Sequence, residues 1–205
     1  MSEQEKFDET AVLNLPDPPE LKRFEKMAQK LIDNQLYKSS KKGAQTHQQK
    51  LDELELKLYY CDVHGIPATF ANNVYIVYGN FAVEMVIMDY LIAKGCPKAQ
   101  IEPVEYDSNH CAIRAKRSEK GIWIRFEFNK DRVAQNGLEK AMYYQKDPQA
   151  AMRNYAIKDC YRTMFRKELG SCIYTPEDFG MNTNGNGTIE STDGVKAIPD
   201  KGEKK

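Results

Sequence analysis

A helix with both ends marked, over residues 147–170, is the stretch that most restricts what this chain can fold into. Asp147 supplies a side-chain oxygen able to cap the first turn, Pro148 follows where a missing N–H costs nothing, and Gly170 offers a stop. At about 100° per residue, Met152, Ala156, Ile157, Cys160, Tyr161 and Met164 fall on one broad arc. Tyr155, Lys158, Arg162 and Arg166 fall on another. The first arc must be buried against a partner layer, and the second then forms an exposed cationic stripe with one tyrosine. Arg153 lies in the middle of the apolar arc, so its guanidinium is expected to be partly buried and to reach a carboxylate, a carbonyl or a ligand phosphate. The row Lys158, Arg162 and Arg166 reads equally as a solvated face or as an anion-binding one.

A layer for that helix to cover follows from residues 101–129. Three β-prone runs, 101–107, 111–117 and 122–129, are separated by Asp107-Ser-Asn-His110 and Ser118-Glu-Lys-Gly121, both built of turn formers. They predict an antiparallel meander. In the second run Ile113 and Ala115 alternate with Arg114 and Lys116; in the third, Ile124, Phe126 and Phe128 alternate with Trp123, Arg125 and Glu127. One face is therefore apolar, and the other carries bases beside a tryptophan.

Upstream, Asp17-Pro-Pro-Glu20 opens a helix with Leu21, Phe24, Met27, Ala28, Leu31 and Ile32 at helical spacing, ending near residues 38–43. A second helix over residues 45–60 contributes Leu51, Leu54, Leu56 and Leu58. His64-Gly-Ile-Pro67 breaks it. Residues 73–79 read as a strand ending at Gly79, and residues 81–94 as a helix apolar nearly all round, expected to be the central buried one. A short helix over 130–136 and an aromatic loop over 138–147 lead back to the opening helix. The whole is an α+β fold: a short antiparallel meander packed on a central helix and a C-terminal helix, with a helical N-terminal arm. Residues 1–16 are expected to be a flexible acidic N-terminus, 17–63 the arm for docking or oligomerisation, 64–180 the core, and 181–205 a disordered tail.

Lysine plus arginine and aspartate plus glutamate each number 30, so the total charge announces no polyanion partner. The distribution does. Residues 1–20 hold six acids against one base, whereas residues 111–170 hold fourteen bases against seven acids. No run of apolar residues is long enough for a membrane span, and Met1-Ser-Glu-Gln-Glu-Lys6 has no apolar signal core, so a cytoplasmic protein is expected. The five cysteines are odd in number, well separated and free of CxxC pairs, which reads as buried, reduced thiols. Cys61 with His64 and His110 with Cys111 are close in sequence, but neither spacing is that of a zinc knuckle.

Nucleophile-elbow, P-loop, HExxH and dinucleotide-binding patterns are missing from the sequence. Glu84, Glu105, Asp107 and Glu127 could assemble a metal-dependent nuclease, although acids on strand faces are usually just solvated. What recurs is cation beside aromatic: Trp123 with Arg125, Arg114 and Lys116, Tyr143 and Tyr144 with Lys146, and Tyr155 with Lys158 and Arg162. Bases that neutralise phosphates and rings that stack on bases are the requirements of sequence-tolerant single-strand binding.

Over residues 64–180 the order of elements and several motifs resemble the RecT/Redβ family of phage single-strand annealing proteins. The resemblance rests on Asn73-Val-Tyr-Ile-Val-Tyr-Gly-Asn-Phe-Ala-Val83, Ala112-Ile-Arg-Ala-Lys-Arg117, Asp147-Pro-Gln-Ala-Ala-Met-Arg-Asn-Tyr-Ala-Ile-Lys-Asp-Cys-Tyr-Arg162 and Gly170-Ser-Cys-Ile-Tyr-Thr-Pro-Glu-Asp178. Arg153 and Arg162 match family arginines, whereas Tyr155 and Asp159 stand where the family has further ones. The resemblance implies ATP-independent binding and annealing of complementary DNA strands in a bacterial host cell, in phage-type homologous recombination, by a homo-oligomeric ring or filament with DNA in a basic groove. It implies no covalent chemistry and no required cofactor, with Mg2+ admissible. Single-stranded DNA and the annealed duplex are the implied partners, with a phage exonuclease or a host single-strand binding protein as further ones. The candidate DNA contacts are Arg114, Lys116, Trp123, Arg125, Arg153, Tyr155, Lys158, Arg162 and Arg166. Two other readings stand beside this one: a metal-dependent nuclease, and an interaction module whose basic face meets an acidic protein.

Overall fold

The computed structural model of the chain describes residues 19–37, 39, 45–107, 109–179, 181–184 and 188–191. The architecture is α+β. Helix α1 (Pro19–Asp33) packs on α2 (His47–Val63) through Phe24 and Ala28, and α2 is capped by Thr46, whose side chain accepts from the Gln49 N–H while Gln49 returns a bond to the Thr46 N–H. Of the leucines expected to dock α2, Leu51, Leu54 and Leu58 are buried but Leu56 is exposed. With Tyr59 and Val63, which are also exposed, Leu56 makes one apolar stripe on the outer side of the helix.

Strands β1 (Val74–Val77) and β2 (Asn80–Val83) then form an antiparallel hairpin, and helix α3 (Met85–Gly95) follows. The helix expected from residue 81 therefore starts later, because Phe81, Ala82 and Val83 pair with Ile76, Tyr75 and Val74. Burial along α3 is confined to one side, with Ile87, Met88, Leu91 and Ile92 in the core and Val86 exposed, so it covers the core rather than running through its centre. At the hairpin tip both Tyr78 (φ 49°) and Gly79 (φ 80°) are left-handed. Asn-Gly is the pair favoured in such a turn, and a tyrosine there is strained by about 1 kcal/mol. Tyr78→Asn is accordingly expected to raise the unfolding free energy by about that amount in a denaturant titration, and no gain would contradict the strain.

The predicted meander is present almost residue for residue: β3 (Gln100–Tyr106), β4 (His110–Lys116) and β5 (Ile124–Asn129), in the order β3-β4-β5, with a register shift between Pro103 and Glu105 on edge strand β3. Asp107 closes the first turn by accepting from the Asn109 and His110 N–H groups. After α4 (Lys130–Gln135) and the short α5 (Met142–Lys146), helix α6 (Pro148–Met164) lies on the sheet, touching β4 and β5. Cys111, Ile113, Ala115 and Phe128 of the sheet share one core with Met152, Ala156, Cys160 and Tyr161.

The capped start of α6 is as expected, with the Asp147 carboxylate accepting from the Ala150 N–H at 2.9 Å. Its end is earlier. The chain breaks at buried Phe165 and resumes as α7 (Arg166–Leu169), with Gly170 (φ 56°) beyond it. Arg117 accounts for the break: its guanidinium donates to the Met164 carbonyl and to Glu168, and lies over the Phe165 ring. That hydrogen bond holds the Glu168 carboxyl below its usual pKa range. Strands β6 (Met181–Asn184) and β7 (Thr188–Ser191) form a last antiparallel pair inside the segment expected to be disordered. The rest of that tail, apart from those two strands, and the acidic segment over 1–16 lie outside the described residues.

Four of the five cysteines, Cys61, Cys111, Cys160 and Cys172, are buried, Cys96 is half-buried, and all five are free thiols. Burial pushes Cys61 and Cys160 up to about 12. No helix among the described residues is long and apolar enough to cross a membrane.

Candidate nucleic-acid interface

The nine residues singled out in the sequence separate into three groups. Arg114, Lys116, Trp123 and Arg125 come together on the outer face of the sheet, opposite the face that α6 covers. Strand alternation puts them there: Ile113 and Ala115 point into the core, and Arg114 and Lys116 point away. The Trp123 ring lies beneath both cations, with the Arg114 guanidinium 4.5 Å and the Lys116 ammonium 4.6 Å from its centroid. Lys116 also donates to the Glu119 carbonyl at 3.0 Å.

Acids share this face. Arg114 is held by Glu102 on β3, 2.8 Å away, and Arg125 by Glu105 at 2.9 Å and by its neighbour Glu127. Arg125 keeps the Glu127 carboxyl below its usual pKa range. His110 lies between Glu105 and Glu127, at 3.3 and 3.6 Å. The face is thus a lattice of alternating charge around one indole. The arginine pairs are substantially exposed, and exposed pairs contribute about 0–1 kcal/mol each, so these cations can exchange one anionic partner for another.

The second group is absorbed by the fold. Lys158 is 4% exposed, and its ammonium meets Glu177 at 2.9 Å. Arg162 donates to the Ile173 carbonyl at 2.8 Å and to Asp178, which also accepts from the Thr175 N–H and hydroxyl. Both acids lie on the 3-10 turn Pro176–Phe179, so the Thr-Pro-Glu-Asp stretch acts as a clasp over α6. Tyr155 stacks on Phe128, 4.8 Å between centroids, and packs against the core. The expected exposed stripe of Lys158, Arg162 and Tyr155 is therefore corrected: a covering segment neutralises it. Asp159 pairs with Arg132, 2.6 Å away, and that guanidinium also lies over Phe128.

Arg153 and Arg166 make up the third group. Both are exposed, on separate helices, and their side chains make no ion pair or hydrogen bond among the described residues. The expected burial of Arg153 is reversed, although Cys160 at nearly the same helical angle two turns later is fully buried. Angle alone does not set burial: Ala151, Met152 and Ala156 around it are buried, yet the Arg153 side chain itself is exposed. Arg162→Ala should cost about 2 kcal/mol by leaving Asp178 and the Ile173 carbonyl short of a donor, and Arg153→Ala less than about 0.5. Thermal melting of the two variants measures this, and a larger loss for Arg153→Ala would contradict the placement.

The acids considered for a metal centre are occupied elsewhere in the fold. Glu84 accepts from Asn73 and Tyr75, Glu105 and Glu127 serve Arg125 and His110, and Asp107 closes a turn. No group of three or more His, Cys, Asp or Glu side chains placed to hold a metal ion occurs among the described residues. Sequence reasoning missed a further cationic row, Lys22, Arg23, Lys26 and Lys30 on α1, whose i, i+4, i+8 spacing was legible but was read only for its apolar partners. Compared with protein-family models, with curated proteins and with solved structures, the chain gives no match.

Proposed function

We propose that the protein binds single-stranded DNA and anneals complementary strands without ATP, as a homo-oligomer that lays one strand across the outer face of the β3-β4-β5 sheet. The observation that carries this reading is the half-buried Trp123 ring with both Arg114 and Lys116 over it on that outer face. Phosphates would replace Glu102 and Glu105 on Arg114 and Arg125, and the indole would stack on a base. Arg153 and Arg166, both exposed and without an ion pair or side-chain hydrogen bond among the described residues, are available as further phosphate contacts. A strand held by its backbone keeps its base edges available, so complementarity does the selecting and no bond is made or broken in the protein. The exposed stripe of Leu56, Tyr59 and Val63 supports association between copies, since an apolar strip on a helix gains by being covered.

The deciding experiment is a mobility shift with a short oligonucleotide at low salt, followed by addition of its complement without nucleotide triphosphate. Retention of a slow complex and formation of duplex faster than in free solution are expected. Failure to bind either strand would end the proposal, and cleavage of the labelled strand in magnesium would replace it with the nuclease reading.

A further inference from the structure

The cations of the core are mostly spoken for: Arg114, Arg117, Arg125, Arg132, Lys158 and Arg162 are each held by a carboxylate. On α1 the situation is the opposite. Lys22, Arg23, Lys26 and Lys30 are all exposed, and none of their side chains makes an ion pair or hydrogen bond among the described residues. Asp33, on the same helix, accepts from Gln29 at 2.6 Å instead. The four cations border a groove of about 410 Å³ floored by Met27. Like charges at i, i+4 destabilise a helix, so this row is unfavourable in the free protein and is relieved by a polyanion.

Geometry narrows the kind of polyanion. Lys22, Lys26 and Lys30 advance along the helix by about 6 Å per step, giving an evenly spaced line of positive charge. The opposite face of α1 is fixed, with Phe24 and Ala28 buried, and Gln29, at the edge of the lysine row, is bonded to His47 of α2 at 3.2 Å, so the line is presented from an ordered support. An acidic protein surface would need an aromatic or aliphatic anchor beside the charges. Here Met27 alone is apolar and it is half-buried, whereas a uniform phosphate backbone needs only the charges.

We infer that the α1 row is a second phosphate-backbone track, separate from the sheet face, that takes a nucleic-acid strand. The inference rests on the reading of the chain as a nucleic-acid binder, and it assigns the helical arm a direct contact with nucleic acid rather than docking alone.

The test is fluorescence anisotropy of a labelled oligothymidine over a range of salt concentrations. It compares the wild type, Lys22→Gln/Lys26→Gln/Lys30→Gln, and the sheet-face variant Arg114→Ala/Trp123→Ala. Losing three phosphate contacts should lower the slope of log K against log salt by about 2, with helical circular dichroism unchanged. The triple arginine variant at the same positions should bind like the wild type. An unaltered slope in the glutamine variant overturns the α1 track and leaves the sheet-face reading intact if the sheet-face variant is weakened. A lowered slope with an unaffected sheet-face variant sustains the track and removes the sheet face. Absence of binding by the wild type overturns both, and competition by poly-glutamate as effective as by unlabelled oligonucleotide overturns the track in favour of an acidic peptide partner.

Discussion

Replacing Lys57 by methionine is expected to lower the unfolding free energy by about 3–5 kcal/mol, the largest loss foreseen for a single substitution in this protein. Lys57 is completely buried, and its ammonium meets the Glu53 carboxylate, itself 2% exposed, at 2.8 Å one helical turn away. It also lies over the rings of Tyr37 and Tyr75, 5.3 and 5.7 Å from their centroids. Glu53 accepts in addition from Ser39 and Gln45. Methionine keeps most of the stem and its packing, so what is lost is the charge, and Glu53 is left buried without its counter-ion. The double variant Glu53→Gln/Lys57→Met removes both charges and should recover more than half of the loss. Denaturant titration of the three proteins gives the coupling. A loss below about 1 kcal/mol for Lys57→Met would mean that the pair is reached by water.

Trp123→Ala is expected to weaken single-strand binding roughly 5- to 150-fold, the counterpart of the ~1–3 kcal/mol that a base–aromatic stack contributes. Trp123→Phe should keep most of the affinity, because the ring face and not the indole N–H is what a base requires. Arg114→Ala should act differently, reducing the slope of log K against log salt by about 0.7 as one phosphate contact goes. Neither change should move the melting temperature much, since both side chains lie on the outer face and Arg114 is held by an exposed ion pair. Binding isotherms at several salt concentrations separate the two effects. Equal affinity for Trp123→Ala and the wild type would remove the sheet face from the proposed interface.

The elements most legible in the sequence were those whose causes are local. The meander followed from side-chain alternation and two turns, and its strands matched to within a residue or two. The start of α6 followed from Asp147 and Pro148. The β1–β2 hairpin was lost because Phe81-Ala-Val83 is as compatible with a helix as with a strand; pairing to residues 74–76 decided it. On α2 the apolar count favoured Leu56 over Glu53 and Lys57, yet Leu56 is half exposed and the two charged residues are buried. An ion pair closed within one turn and roofed by two tyrosines can be buried, and sequence spacing alone does not reveal the roof.

The candidate site divides in the same way. Side-chain alternation in the sequence was enough to put Arg114 with Lys116 and Trp123 with Arg125 away from the apolar positions, and the pairing of Arg114 with Arg125 joins the two sets on one face. Which of the cations stay available depended on long-range folding. Glu177 and Asp178, sixteen and more positions beyond the lysine and arginine they bind, fold back to take Lys158 and Arg162 out of the exposed stripe, while Arg153 and the α1 row are left uncovered. The physical reason is that charge is fixed by residue type, but its availability depends on which carboxylate the chain brings within about 3–4 Å.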